Sequence, residues 1–194
     1  MKNKKGFTLL EVIIAVAIFA IISLISFRSL KAIQDNNQLS EKRLAELKQW
    51  QQFYMWLEMD LLHTINRPIL TQYNDQEAAF LGSSDRQILL SFTRSGRHNP
   101  GQLKRSNLQR ISYLLIDKQI IRRSWQVLDR SPDSQFDSVV LLKSVENVTL
   151  QFMNELDIWQ NHWSSKDEKE PIPKAVTITI DGPSLGEISR IYRL

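Results

Sequence analysis

The sequence predicts an α+β chain, with one long N-terminal helix leading into a mainly antiparallel sheet. Three observations carry that prediction. An apolar run over residues 7–27 continues into an amphipathic pattern that ends near residue 67. After Pro68 the hydrophobic period changes from three-to-four to two. The strand-like runs then come in pairs separated by turn residues.

The 194 residues allow one globular domain plus extra segments, and 42% hydrophobic with 24% charged residues is ordinary for a folded protein. There is no cysteine, which excludes disulfides, thiolate nucleophiles and Cys-based zinc sites. The charge is basic, 25 Lys and Arg against 21 Asp and Glu, but Lys2, Lys4 and Lys5 supply three of the net +4. From residue 6 onward the chain is nearly balanced, so its basic pI is a poor argument for nucleic acid.

The first element is the run from Phe7 to Phe27, 21 residues with a single charge, Glu11. At 1.5 Å per residue it spans about 30 Å, one bilayer core. A buried core helix or a secretory signal would share this pattern. Cleavage after Ala17, however, would leave Ile18–Phe27 as an exposed apolar tail, so a permanent single-pass anchor fits best. Glu11 is out of place there, since a carboxylate at that depth costs about 3 kcal/mol unless something offsets it.

The helix continues beyond the bilayer. Leu44, Leu47, Trp50, Tyr54, Leu57, Leu61 and Ile65 form a stripe at spacings of three and four, and Pro68 closes it after Arg67. The tract QDNNQ, residues 34–38, is polar all round and is where the helix would loosen. Unbroken, the helix would be roughly 90 Å long. Trp50, Phe53, Tyr54, Met55 and Trp56 cluster as residues that pack on a globular domain. Glu41, Glu46, Glu58 and Asp60 read as a solvated face with no chemistry.

In the remaining two-thirds, residues 87–93 read as a strand and 94–107 as a loop. Strands over 109–116 and 119–125 flank a two-residue turn, Asp117-Lys118. A second hairpin is expected from 138–143 and 147–153, and a third from 175–181 and 187–194 around Gly182-Pro183-Ser184. The charged stretch 164–174 reads as a surface loop.

The leader Lys5-Gly6-Phe7-Thr8-Leu9-Leu10-Glu11-Val12 resembles the class III signal of type IV pilins and type II secretion pseudopilins. The resemblance implies a pilin-like fold and cleavage by a prepilin peptidase between Gly6 and Phe7, with N-methylation of Phe7. It also implies that Glu11 meets the N-terminal amine of a neighbouring subunit, which would offset its burial; snorkelling towards the interface is the alternative. The chain is then a leader (1–6), a transmembrane helix (7–27), an amphipathic extension (28–67) and a periplasmic β-rich domain (68–194).

Further along, FTRSGRHNP (92–100), LQRISYLL (108–115), IRRSWQVLDRSPDS (121–134), Trp159, Trp163 and the terminal GEISRIYRL resemble the general secretion pathway protein J family, minor pseudopilins of type II secretion. One departure is Arg97, where the family often has Trp. This resemblance implies a structural, non-enzymatic subunit at the tip of a periplasmic pseudopilus, with general secretion pathway proteins I and K, H and the major protein G as partners. It implies an inner-membrane anchor in lipid, a cytoplasmic N-terminus, a periplasmic C-terminal domain and no cofactor. A minor pilin of a type IV pilus or competence system shares the leader and Glu11 and is the alternative.

No nucleophile elbow, P-loop, dinucleotide fingerprint or HExxH occurs. His63, His98 and His162 lack metal-ligand spacing. Asp129, Asp133 and Asp137 are calcium candidates by residue type, although turn and capping roles explain them equally well. Residues 94–123 hold eight Lys and Arg against one acid, Asp117. With Tyr113 as the one aromatic inside it, this stretch reads as a partner-facing or solvated surface rather than a nucleic-acid site.

Overall fold

The protein is described by a computed structural model over residues 6, 8–97, 99, 101, 104–164 and 171–194. It divides into two compact units, Met1–Lys48 and Gln49–Leu194. The helix α1 (Leu9–Leu62) is continuous, including the QDNNQ tract. In the first unit its apolar side chains are exposed. Leu44 and Leu47 are exposed as well, so the expected buried stripe begins only at Trp50.

In the second unit, the last turns of α1 bury Trp50, Phe53, Tyr54, Leu57, Asp60 and Leu61 against sheet. The helix stops at Leu62, before the last position of the expected stripe. There the chain is captured by a strand: Thr64 bridges Arg94, and the Ile65 amide donates to the Thr93 carbonyl.

Three sheets follow. β1 (Ile69–Leu70) and β2 (Gln76–Glu77) form a small ribbon. The largest sheet, in the order β10-β3-β4-β5-β6-β7, contains β3 (Phe80–Ser83), β4 (Ile88–Arg94), β5 (Gln109–Ile116), β6 (Gln119–Trp125), β7 (Phe136–Leu142) and β10 (His162–Ser164). The third, β12-β11-β8-β9, contains β8 (Asn147–Met153), β9 (Trp159–Gln160), β11 (Ala175–Gly182) and β12 (Gly186–Arg193). All pairs are antiparallel.

The hairpins at 109–125 and 175–193 are as expected. Asp117 and Lys118 both have positive φ, 48° and 59°, the signature of a two-residue type I′ turn. The expected hairpin of 138–143 with 147–153 does not form, because β7 pairs with β6 and β8 pairs with β11. Val145 is buried between the two strands, and its amide donates to the Lys118 carbonyl. The next amide, Glu146, donates to the Asp181 carbonyl. The intervening residues therefore bridge two sheets instead of turning back on one.

The core lies between α1 and the inner faces of the two larger sheets. Phe92, Ile111, Tyr113, Leu150, Phe152, Val176, Ile178 and Ile180 fill it, with Phe80 and Phe92 stacked at 5.4 Å. At Gly82 in β3 an added Cβ would lie 2.2 Å from the Phe152 ring, so close packing fixes that residue as glycine.

Candidate functional site

The sequence pointed to Gly6, Phe7 and Glu11. Phe7 lies outside the described residues, as do Lys2, Lys4 and Lys5; Gly6 is exposed. Glu11 stands in the first turn of α1. Its Oε2 accepts the Thr8 amide at 2.8 Å and the Thr8 hydroxyl at 3.0 Å, while the Glu11 amide donates to Thr8 Oγ1 at 3.3 Å. This reciprocal arrangement is a capping box, with Thr8 as N-cap and Glu11 three residues on. It satisfies two of the amides that a helix start leaves orphaned. Oε1 has no partner among the described residues. The carboxylate is thus fixed to the helix start and keeps one oxygen available.

A second carboxylate organises the globular unit. Asp60 is 0% exposed and sits on the buried face of α1, on the same side as Phe53 and Leu57. Arg122 of β6 grips it in bidentate fashion, Nε to Oδ2 at 2.6 Å and Nη2 to Oδ1 at 3.0 Å. Tyr113 of β5 donates its hydroxyl to Oδ2 at 2.7 Å, and Arg94 of β4 pairs with Oδ1. One helical side chain is therefore bound to three adjacent strands. Arg122 also lies over the Trp56 ring, 4.8 Å from its centroid. Burial holds the Tyr113 hydroxyl well above the ordinary phenol range, and the adjacent Asp60 charge adds to the effect. Burial works against the Arg122 guanidinium, but its bonds to Asp60 more than offset this and leave its pKa raised.

The opposite face of the same sheet carries a matching cluster. Arg110 of β5 is fully buried and donates to the Ala79 carbonyl at 2.9 Å, Ser91 Oγ at 3.1 Å, Thr93 Oγ1 at 3.2 Å and Glu77 at 2.7 Å. Arg130 also pairs with Glu77. Burial pulls the Arg110 pKa down to about 10, against the pull of Glu77.

These clusters correct two readings. Asp60 is not part of a solvated helix face, although Glu58 is. The basic stretch 94–123 is not one surface, because Arg94, Arg110 and Arg122 are spent inside the fold on both sides of the sheet. Alternation along strands divides them: Arg94 and Arg122 face α1, and Arg110 faces away. A signal for Asp60 was present, since it lies three residues after Leu57 on the apolar stripe. The capping box was also legible as Thr8-x-x-Glu11.

The other candidates disperse. Asp129 accepts the Leu70 amide at 2.9 Å and pairs with Arg67 at 3.1 Å, a capping and ion-pair role. Asp133 is in a turn, and Asp137 lies in β7 opposite Ser124. Among the described residues no three His, Asp or Glu converge as metal ligands. His63 Nδ1 lies 2.8 Å from the Met59 carbonyl, a local helix-end bond. His162 is in β10, and His98 lies outside the described residues, as does 165–170 of the charged loop. Arg97 donates to the Gln126 carbonyl at 2.6 Å. Trp50, Phe53 and Tyr54 are core residues, while Met55 and Trp56 remain exposed. Within the described residues one helix, α1, is long and apolar enough to cross a membrane.

Residues 28–194 match the family described as Type II secretion system (T2SS), protein J, and residues 1–27 match the prokaryotic N-terminal methylation motif. The chain is 31% identical to Type II secretion system protein J of Vibrio cholerae, over 98% of this chain and 87% of that one. It is 32% identical to the Escherichia coli protein of the same name, over 100% and 97% of the two chains. It is also similar to a chain in the crystal structure of the GspK–GspI–GspJ complex of the enterotoxigenic Escherichia coli type 2 secretion system. There the TM-score is 0.68 at 30% identity, covering 77% of this chain and 97% of that one.

Proposed function

The chain belongs to the type II secretion system protein J family of minor pseudopilins, and from that membership we propose a tip-complex subunit of the periplasmic pseudopilus. The observation that carries this is the family match over the whole globular part, residues 28–194. A minor pilin of a type IV pilus or competence system would share the leader but not that match. The protein is anchored by its N-terminal apolar helix, and the family role is structural. Its partners in the proposed complex are general secretion pathway proteins I and K, with H and the major protein G below; a GspK–GspI–GspJ complex from a relative supports this.

In the proposed assembly route, residues 1–6 are a cytoplasmic leader removed by a prepilin peptidase between Gly6 and Phe7, and Phe7 is then methylated. The match of residues 1–27 to the methylation motif supports the step. Residues 7–27 span the inner membrane, 28–67 extend from it, and 68–194 stand in the periplasm. Glu11 uses Oε2 to start its own helix and offers Oε1 to the amine of a neighbouring subunit, fixing axial register.

The test compares culture medium and periplasm of a deletion strain and its complemented control by quantitative proteomics. Particular folded proteins should leave the medium and build up in the periplasm; unchanged secretion overturns the reading. For Glu11, the Glu11→Ala protein should be cleaved normally yet fail to cross-link into the complex. Normal incorporation would remove its assembly role.

A further inference from the structure

Four strands end the two larger sheets, and three of them are protected against pairing with another chain. β9 and β10 are only two and three residues long. β12 carries Glu187, Arg190 and Arg193 along its length. Short edges and charged edges are common devices against strand addition. β7 has neither. It is seven residues long, pairs on one side with β6, and contains one charged residue, Asp137. Its register shift, opposite Ile120/Ile121, lies at the end that holds the buried Leu141 and Leu142.

The open half of β7 leaves apolar side chains uncovered on both faces, with Asp137 and Ser138 between them. Val139, paired with Arg122, is 54% exposed on the α1 side. Phe136 and Val140, on the other side, are 44% and 40% exposed. A row of backbone donors and acceptors that is free among the described residues selects an extended backbone over a helix, and uncovered side chains above and below it supply the pockets an added strand fills. At the Phe136 end arginines outnumber the one carboxylate, Asp137: the Arg123 guanidinium lies 4.1 Å from the Phe136 ring centroid, and Arg97 lies within electrostatic reach of Asp137. An occupant that places carboxylates at that end gains favourable charge.

We propose that the outer edge of Phe136–Val140 receives an extended segment of another minor pseudopilin, apolar along its length and acidic beside Phe136, as a seventh strand. This inference rests on the reading of the chain as a subunit of that complex. It is tested by hydrogen–deuterium exchange on the full-length chain in detergent, free and assembled with its I and K partners.

Peptides covering 136–140 should exchange about tenfold more slowly in the complex. The double variant Val139→Lys/Val140→Lys should keep the melting temperature and weaken assembly about tenfold or more, while Ile191→Lys on β12 should not weaken it. Unchanged exchange over 136–140 within an intact complex overturns the inference and leaves the pseudopilin reading standing. Protection that rises with the concentration of the free chain, without partners, overturns it in favour of a second copy. Failure of the unmodified chain to assemble at all would remove the reading on which the inference rests.

Discussion

Replacing Asp60 by Asn removes one charge and almost no volume, yet it should be among the most damaging single changes in the globular unit. Asn offers one acceptor where Asp60 now receives bonds from Arg122, Arg94 and Tyr113, and its amide nitrogen must point at a guanidinium. Two buried arginines would then lack a counter-charge. Breaking a buried pair from one side costs about 3–5 kcal/mol. For a unit of this size that corresponds to a fall in melting temperature of about 10 °C.

The assay is urea and thermal unfolding of the full chain in detergent, followed by the fluorescence of its five tryptophans, of which Trp50 and Trp56 lie on α1. Glu58→Gln, an exposed neighbour on the same helix, serves as control and should stay within about 0.5 kcal/mol. In an Arg122→Met background the Asp60→Asn change should cost at least about 1 kcal/mol less than it does alone. A loss below about 1 kcal/mol for Asp60→Asn would refute the assignment of the carboxylate as the joint between helix and sheet.

Three further outcomes are expected. Gly82→Ala should destabilise by about 1–3 kcal/mol, because the new methyl meets the Phe152 ring and Phe152 is itself fixed by Phe80; denaturant midpoints measure it. Arg110→Met should cost about 1–3 kcal/mol, because Glu77 keeps only Arg130 as counter-charge and the Ser91 and Thr93 oxygens each lose one accepted hydrogen bond, and Arg110→Lys should recover only part of it. Stability should be level up to about pH 9 and fall as pH rises from about 10 to about 12. Burial raises Tyr54 to about 12 and moves Tyr113 and Tyr192 in the same direction. The three tyrosines in the folded state keep protons that the unfolded chain has lost, which outweighs the opposite contribution of the single Arg110, and unfolding curves across that range check the sign.

Much of the architecture was legible because long elements carry their period in the sequence. β5, β6 and β8 fall on the expected residues, and the Asp117-Lys118 turn behaves as its length requires. What escaped was of two kinds. β1, β2, β3, β9 and β10 have two to four residues each, too few to show alternation. The 138–153 hairpin failed because two strands close in sequence look the same whether they pair or part; only the anchoring of Val145 and Glu146 separates the cases. At the site, the logic that singled out Glu11 as a carboxylate in an apolar pattern applies equally to Asp60. There the stripe is narrow, and neighbouring Glu58 made the position look solvated. Burial of Arg94, Arg110 and Arg122 could not be read from charge density, since it depends on which strand face each one occupies.

The distance in sequence between the two sides of the core has a consequence for how the chain is made. Trp50 rests against Gly182, and the Tyr54 hydroxyl reaches the Ile188 carbonyl 134 residues downstream. A chain delivered from its N-terminus presents the sticky face of Gln49–Leu62 long before the strands that shelter it have emerged. Contacts that close such long loops also form late. Maturation of this subunit therefore has a vulnerable interval that ends only when its final two strands arrive, and a holdase that masks one short amphipathic helix would be enough to see it through.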